Sequence, residues 1–169
     1  QLISCKIKKL ILLDTSEFNM YQIIEEVDPY LNKSHLKFYI VDINDKDKIK
    51  KIISKYSIDI IFHAAAYKHV NLLEGNIYSA IKNNIIGTSS LIEACQNTSV
   101  KKFTLISTDK AVNPSTIMGK TKRICEVLIS YFQNLDNQNI SFQSVRFGNV
   151  VESSGSVIPK FKRQIQEGG

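Results

Sequence analysis

Short β-rich runs alternate with helical segments along the chain. Residues 9–13 form a first apolar run that stops at Asp14. Ser16 is placed to cap the next segment, and Glu17 puts an acid in its first turn, which predicts a helix over residues 17–26. Residues 36–41 form the next strand, ending at Asp42, and Asp45 or Asp47 starts a lysine-studded helix reaching residue 55. A buried strand over 59–62 opens onto His63-Ala64-Ala65-Ala66, followed by a long helix over 81–96. A strand over 103–106, a helix over 117–132 and a strand over 140–147 complete the pattern, the last ending in Gly148-Asn149. This alternation predicts an α/β fold, a parallel sheet covered by helices. No internal repeat, low-complexity tract or interdomain linker interrupts it, so residues 1–169 read as one domain.

Composition narrows the class. With 43% hydrophobic and 22% charged residues, the 169-residue chain has the make-up of a globular domain able to bury a core. Its apolar runs, such as 10–13 and 60–62, fall far short of the roughly 20 residues a bilayer-spanning helix needs, so this segment is expected to make no membrane contact. The first residues lead directly into a strand with no signal-peptide pattern, and a cytoplasmic setting is expected. Cys5, Cys95 and Cys125 are far apart and lack Cys-x-x-Cys pairing, which reads as reduced thiols rather than a metal site. The net charge of +6 comes mostly from scattered lysines without an Arg-rich, aromatic-interleaved stripe. Solvated lysine faces explain it better than nucleic-acid binding, and the excess also suits an anionic small substrate such as one bearing a pyrophosphate.

The candidate chemistry gathers at residues 107–122, Ser-Thr-Asp-Lys-Ala-Val-Asn-Pro-Ser-Thr-Ile-Met-Gly-Lys-Thr-Lys. Thr108, Asp109 and Lys110 follow a buried strand directly, at the carboxyl edge where α/β sheets place ligands. Met118 and Lys122 lie one helical turn apart and face the same way. Lys110, Lys122 and Asp109 make a mixed-charge cluster in which burial and repulsion can shift proton affinities, although a capped turn before a basic helix has the same pattern. Asp14 and Asp42 suit hydrogen bonding to an adenosine ribose and adenine edge, and equally suit plain turn capping. Ala64, Ala65 and Ala66 either let a flat ligand approach the backbone or begin a helix. Lys68 and His69 follow; a lone His such as His69 is more often structural than catalytic. Asn83 and Asn84 sit in a helical pattern, either on its surface or bonded across to the catalytic-type loop between residue 106 and the helix that starts at 117.

Four stretches together carry a resemblance: 62–70 (Phe-His-Ala-Ala-Ala-Tyr-Lys-His-Val), 83–88 (Asn-Asn-Ile-Ile-Gly-Thr), 106–122, and 145–159 (Val-Arg-Phe-Gly-Asn-Val-Val-Glu-Ser-Ser-Gly-Ser-Val-Ile-Pro). In this order they closely resemble the CapD-like polysaccharide biosynthesis family, nucleotide-sugar 4,6-dehydratases of the extended short-chain dehydrogenase/reductase superfamily. The resemblance implies a Rossmann-type doubly wound parallel sheet. No Gly-x-x-Gly-x-x-Gly type turn precedes Lys9, so the first strand and its Gly-rich turn are expected to be missing, and the end at Glu167-Gly168-Gly169 reads as cut short. Met118 stands where such enzymes commonly carry a catalytic tyrosine, which resembles the large membrane-anchored UDP-N-acetylglucosamine 4,6-dehydratases. The parent protein is accordingly expected at the inner membrane with this domain on the cytoplasmic side.

The resemblance further implies an NAD cofactor, with NADP less suited, held by Asp14, Asp42, Ala64, Ala65, Ala66 and Lys122. It implies catalytic roles for Thr108, Asp109, Lys110, Met118 and Lys122. Lys68, Asn84, Arg146, Asn149, Ser156, Val157 and Pro159 are implied to bind a UDP-sugar. No metal and no nucleic acid are implied, and the parent is expected to be a homo-oligomer. The rival readings are a nucleotide-sugar C4 epimerase and a non-catalytic nucleotide-binding module.

Overall fold

The computed structural model describes residues 7–27, 35–135, 139–148 and 164–166. The chain runs β1 (Leu10–Asp14), α1 (Glu17–Val27), β2 (Leu36–Ile40), α2 (Lys46–Tyr56) and β3 (Ile60–His63). Two short helices, α3 (Val70–Glu74) and α4 (Ile77–Ala80), precede a π-helical turn (Ile81–Ile86) and α5 (Gly87–Cys95). Then come β4 (Lys102–Thr108), a single 3-10 turn (Asp109–Ala111), α6 (Ile117–Gln133) and β5 (Ser141–Phe147). The expected caps are in place: the Ser16 hydroxyl accepts the Asn19 N–H at 3.2 Å, and Asp45, rather than Asp47, accepts the Lys48 N–H at 3.1 Å.

All strand pairing is parallel. β1 pairs with β2, and β3, β4 and β5 pair in that order, with β4 central. Phe103, Thr104 and Leu105 are all buried, as both faces of a helix-covered parallel strand require. One apolar core serves both sheets. Ile49, Ile52 and Ile53 of α2, Leu91, Ile92 and Cys95 of α5, and Cys125 and Ile129 of α6 pack on Phe103, Leu105 and Phe142. Ile11 of β1 and Ile61 of β3 pack against that same cluster. The fold is α/β and Rossmann-like.

The largest departure from the sequence pattern is the helix expected over 81–96. It begins at Ile77, ends at Cys95 and contains the π turn. The cause is local. The Asn84 carbonyl accepts the Thr88 hydroxyl and, at 3.0 Å, the Cys125 thiol, so side chains supply donors where the widened turn changes the backbone ladder. Gly87 matters here, because a Cβ at that position would lie 2.5 Å from Ile43 Cγ2. Among the described residues no helix is long and apolar enough to cross a membrane.

Candidate functional site

Because β3, β4 and β5 run parallel, His63, Thr108 and Phe147 end at one sheet edge. Thr108 closes β4 and caps the 3-10 turn: its hydroxyl accepts the Lys110 N–H at 3.3 Å and donates to Asp109 Oδ1 at 2.9 Å. Lys110 Nζ pairs with the same carboxylate oxygen at 3.3 Å, and both side chains are about half exposed. The Thr108 hydroxyl first, and the Lys110 ammonium after it, hold the Asp109 carboxyl below its ordinary range. The turn therefore carries a Lys⁺/Asp⁻ pair, open to solvent, oriented by one hydroxyl.

Lys122 is different. Only 6% exposed, it donates to the Ile106 carbonyl at the end of β4, and burial lowers its proton affinity while Cys125 and Glu126 act in the other direction. Met118, 5% exposed, packs with Leu73 and Ala80, with Val70 and Ile117 at its margin. A thioether in an apolar cluster neither gives nor takes a proton.

Asn84 is 1% exposed and its amide has four protein partners. The oxygen accepts the Tyr67 N–H (2.8 Å) and an Asn83 amide hydrogen (3.1 Å); the nitrogen donates to the Tyr67 carbonyl (3.1 Å) and the Thr121 hydroxyl (3.0 Å). It braces the loop after β3 against α6, reaching the helix at Thr121 rather than the catalytic-type loop before it. Arg146, expected to contact the UDP-sugar, points two of its nitrogens at Glu126. Lys68, Ala64 and Ala65 lie exposed in the loop after β3, with Ala66 half-buried. Asp14 accepts the Ser16 N–H at 2.8 Å, while Asp42 accepts both the backbone and side-chain N–H of Asn44 at 2.8 Å. The Asn44 backbone bond, before the side-chain one, lowers the Asp42 carboxyl. Asn149, Ser156, Val157 and Pro159 lie outside the described residues, as does Cys5. Cys95 and Cys125 are buried free thiols.

Five residues the sequence did not single out shape this edge. Gly119 allows α6 to seat on the turn, because a Cβ there would collide with the Lys110 carbonyl oxygen. Ser107 and Glu126 join β4 to α6 through a 2.6 Å hydrogen bond. The Arg146 hydrogen bonds, and then those from Ser107 and Arg123, outweigh burial and hold the Glu126 carboxyl at about 2. Thr88 commits its proton to Asn84, so the His63 contact (2.8 Å to Nε2) is completed by the Nε2–H tautomer. Nδ1 of His63 is then a buried acceptor with no partner among the described residues. Burial, with Lys122 adding repulsion, drives this imidazole down to about 3. A glycine beside the Met-x-x-x-Lys pair and a Glu one turn past the lysine are visible in sequence, but their partners are fixed only by tertiary packing.

The family model described as "Polysaccharide biosynthesis protein" matches residues 1–169. The capsular polysaccharide biosynthesis protein CapD of Staphylococcus aureus is 47% identical over 163 residues, covering 96% of this chain and 27% of that protein. A UDP-N-acetylglucosamine 4,6-dehydratase (inverting) of Campylobacter jejuni is 36% identical over 164 residues, covering 96% of this chain and 47% of the enzyme. A UDP-glucose 4-epimerase of Rickettsia prowazekii is 38% identical over 145 residues, covering 85% and 42%. Among solved structures, Pen from Bacillus thuringiensis superposes with a TM-score of 0.86 at 36% identity, covering 96% of this chain and 49% of that one. The chain thus spans between about a quarter and a half of the proteins it matches. On this family match and these identities, the chain belongs to the polysaccharide biosynthesis protein family.

Proposed function

We propose that the chain carries the reacting turn of a UDP-N-acetylglucosamine 4,6-dehydratase that serves surface-polysaccharide or glycan biosynthesis. The observation that carries this reading is the Asp109–Lys110 pair on the turn after β4, beside a Met118 that can exchange no proton. Dehydration across C5 and C6 of a 4-keto sugar needs one base and one acid at neighbouring atoms. Neutral Lys110 takes the C5 proton, which the 4-keto group acidifies. The C5–H electrons form the C5–C6 double bond as the C6–O bond breaks, and Asp109 supplies the proton that leaves with the oxygen as water. The required form, neutral Lys110 with protonated Asp109, is the tautomer of the observed ion pair, one proton moved over 3.3 Å. An ion pair costs more to bury than its neutral tautomer, so a sugar covering the pair favours that transfer. Thr108 is proposed to contact the sugar C4 oxygen, and an epimerase would have no use for an acid at C6.

The residues fit an NAD-type cofactor. Asp14 and Asp42 share the carboxyl edge of the β1–β2 sheet as acceptors for the adenosine end. Small side chains at Ala64, Ala65 and Ala66 leave room beside the backbone, and Lys122 is proposed for the nicotinamide ribose. NAD, when bound, supplies the hydride acceptor at C4 and the hydride donor at C6. Lys68, Asn149, Ser156, Val157 and Pro159 are proposed for the UDP-sugar, while Asn84 spends its amide on Tyr67 and Thr121 and Arg146 its guanidinium on Glu126. Homo-oligomerisation and an inner-membrane anchor are proposed for the native protein.

Incubating the full native protein with UDP-N-acetylglucosamine tests the reading. The expected product is a UDP-linked 4-keto-6-deoxy sugar, identified by NMR. A C4 epimer that retains its C6 oxygen would replace the reading with epimerisation, and no turnover of any UDP-sugar would favour a binding module.

A further inference from the structure

Glu126 takes no part in the proton transfers, yet it is 4% exposed and satisfied at both oxygens. Oε1 accepts the Ser107 hydroxyl at 2.6 Å and Arg146 Nε at 2.8 Å; Oε2 accepts Arg146 Nη2 at 2.7 Å and Arg123 Nη1 at 3.2 Å. Four donors fill the lone-pair capacity of an ionised carboxylate. Ser107 and Arg146 are register partners across β4 and β5, so one side chain of α6 grips the same rung of both strands. One residue further along, Thr108 pairs with Phe147, and the strands then diverge into the Asp109–Lys110 turn and Gly148. A Cβ on Gly148 would lie 3.9 Å from Asp109 Oδ2, so the backbone leaving β5 borders the acid. One helical turn earlier, Lys122 holds the Ile106 carbonyl, giving α6 two successive anchors on the last residues of β4.

We propose that Glu126 is a positioning residue: through Ser107 and Arg146 it fixes the carboxyl ends of β4 and β5 and so sets where Asp109 and Lys110 meet the sugar. This rests on the reading of Asp109–Lys110 as the eliminating pair. Apolar contacts could join the same elements but would leave them free to slide. The directional bonds of a bidentate Arg–carboxylate pair and a hydroxyl fix register.

The test measures steady-state kinetics of the full native protein with UDP-N-acetylglucosamine for wild type, Ser107→Ala, Ser107→Thr, Glu126→Gln and Arg123→Ala. Ser107→Ala keeps both arginine contacts and is expected to fold with a melting temperature close to wild type. Its kcat is expected to fall about 10- to 100-fold, the cost of misplacing reacting groups by an ångström or less, while KM stays within about twofold. Ser107→Thr, which keeps the hydroxyl, restores kcat, and Arg123→Ala, on the exposed flank, leaves it unchanged. Folded Ser107→Ala with wild-type kcat overturns the proposal, as does a kcat loss that Ser107→Thr fails to restore. Should Glu126→Gln fail to fold, Ser107→Ala still decides. A wild type without dehydratase turnover overturns the underlying reading itself, a separate outcome from an active wild type with indifferent variants.

Discussion

Met118 is buried against Leu73 and Ala80, with Val70 and Ile117 at its margin. Its contribution is volume. Met118→Leu is therefore expected to keep kcat within about twofold and to cost less than about 1.5 kcal/mol, as volume-conserving core exchanges do; a large kcat loss without unfolding would give the thioether a chemical role. Gly119 is less forgiving. Gly119→Ala drives a methyl into the Lys110 carbonyl, so the turn must shift. The expected result is a folded protein with kcat reduced about 100-fold, by the same misplacement argument. His63 gives a prediction about acid stability. Its folded-state affinity is depressed from 6.5 to about 3, so the unfolded chain takes up a proton that the folded chain refuses. The stability it contributes is whole above pH 6.5 and is lost as pH falls toward 3, at up to about 1.4 kcal/mol per pH unit. Glu126, depressed from 4.5 to about 2, adds its own loss below pH 4.5. Denaturant titrations at steps from pH 7 to pH 4 check this: His63→Gln is expected to flatten the slope above pH 4.5, and an unchanged slope would count against it.

At the scale of elements, the π turn, the 3-10 turn and the short helix α3 are features that periodicity did not show. Alternating apolar runs made β1 through β5 and the helices α1, α2 and α6 legible, because each buries one face or stripe at its own period. The π turn has no such signature. It exists because a carbonyl on one helix meets a hydroxyl four residues on and a thiol 41 positions away. Thr88→Val, nearly isosteric, strips that carbonyl and His63 Nε2 of one partner each, and is expected to cost about 1–3 kcal/mol for groups left buried and unsatisfied. Chemical denaturation measures it; a neutral substitution would mean the thiol alone suffices. Of the candidate site, Thr108-Asp109-Lys110 was legible as a polar turn closing a buried strand, whereas the bond of Lys122 to the Ile106 carbonyl was not. The Glu126–Arg146–Ser107 clamp was not, because it joins three elements and its members are unremarkable singly.

For the molecule as a whole, the arrangement of two parallel sheets on one core is the main architectural fact. In a doubly wound sheet of order 3-2-1-4-5-6, strands β2, β1, β3, β4 and β5 correspond to places 3, 2, 4, 5 and 6. Ile60 and Phe62 of β3 are 50% and 52% exposed, on a strand whose one partner among the described residues is β4. The related proteins extend well beyond the matched stretch. We predict that in the full native protein a further parallel strand lies between β1 and β3. Hydrogen exchange at the Ile60–His63 amides that face away from β4 is then markedly slower there than in the 169-residue chain, and equal rates would contradict the prediction. The central claim concerns chemistry, and one isotopic measurement reaches it most directly: deuterium incorporation at sugar C5 by wild type and Lys110→Ala in heavy water with UDP-N-acetylglucosamine. The wild-type product is expected to carry one deuterium at C5, and Lys110→Ala to incorporate none above background. Wild-type incorporation by Lys110→Ala would show that another group removes the C5 proton.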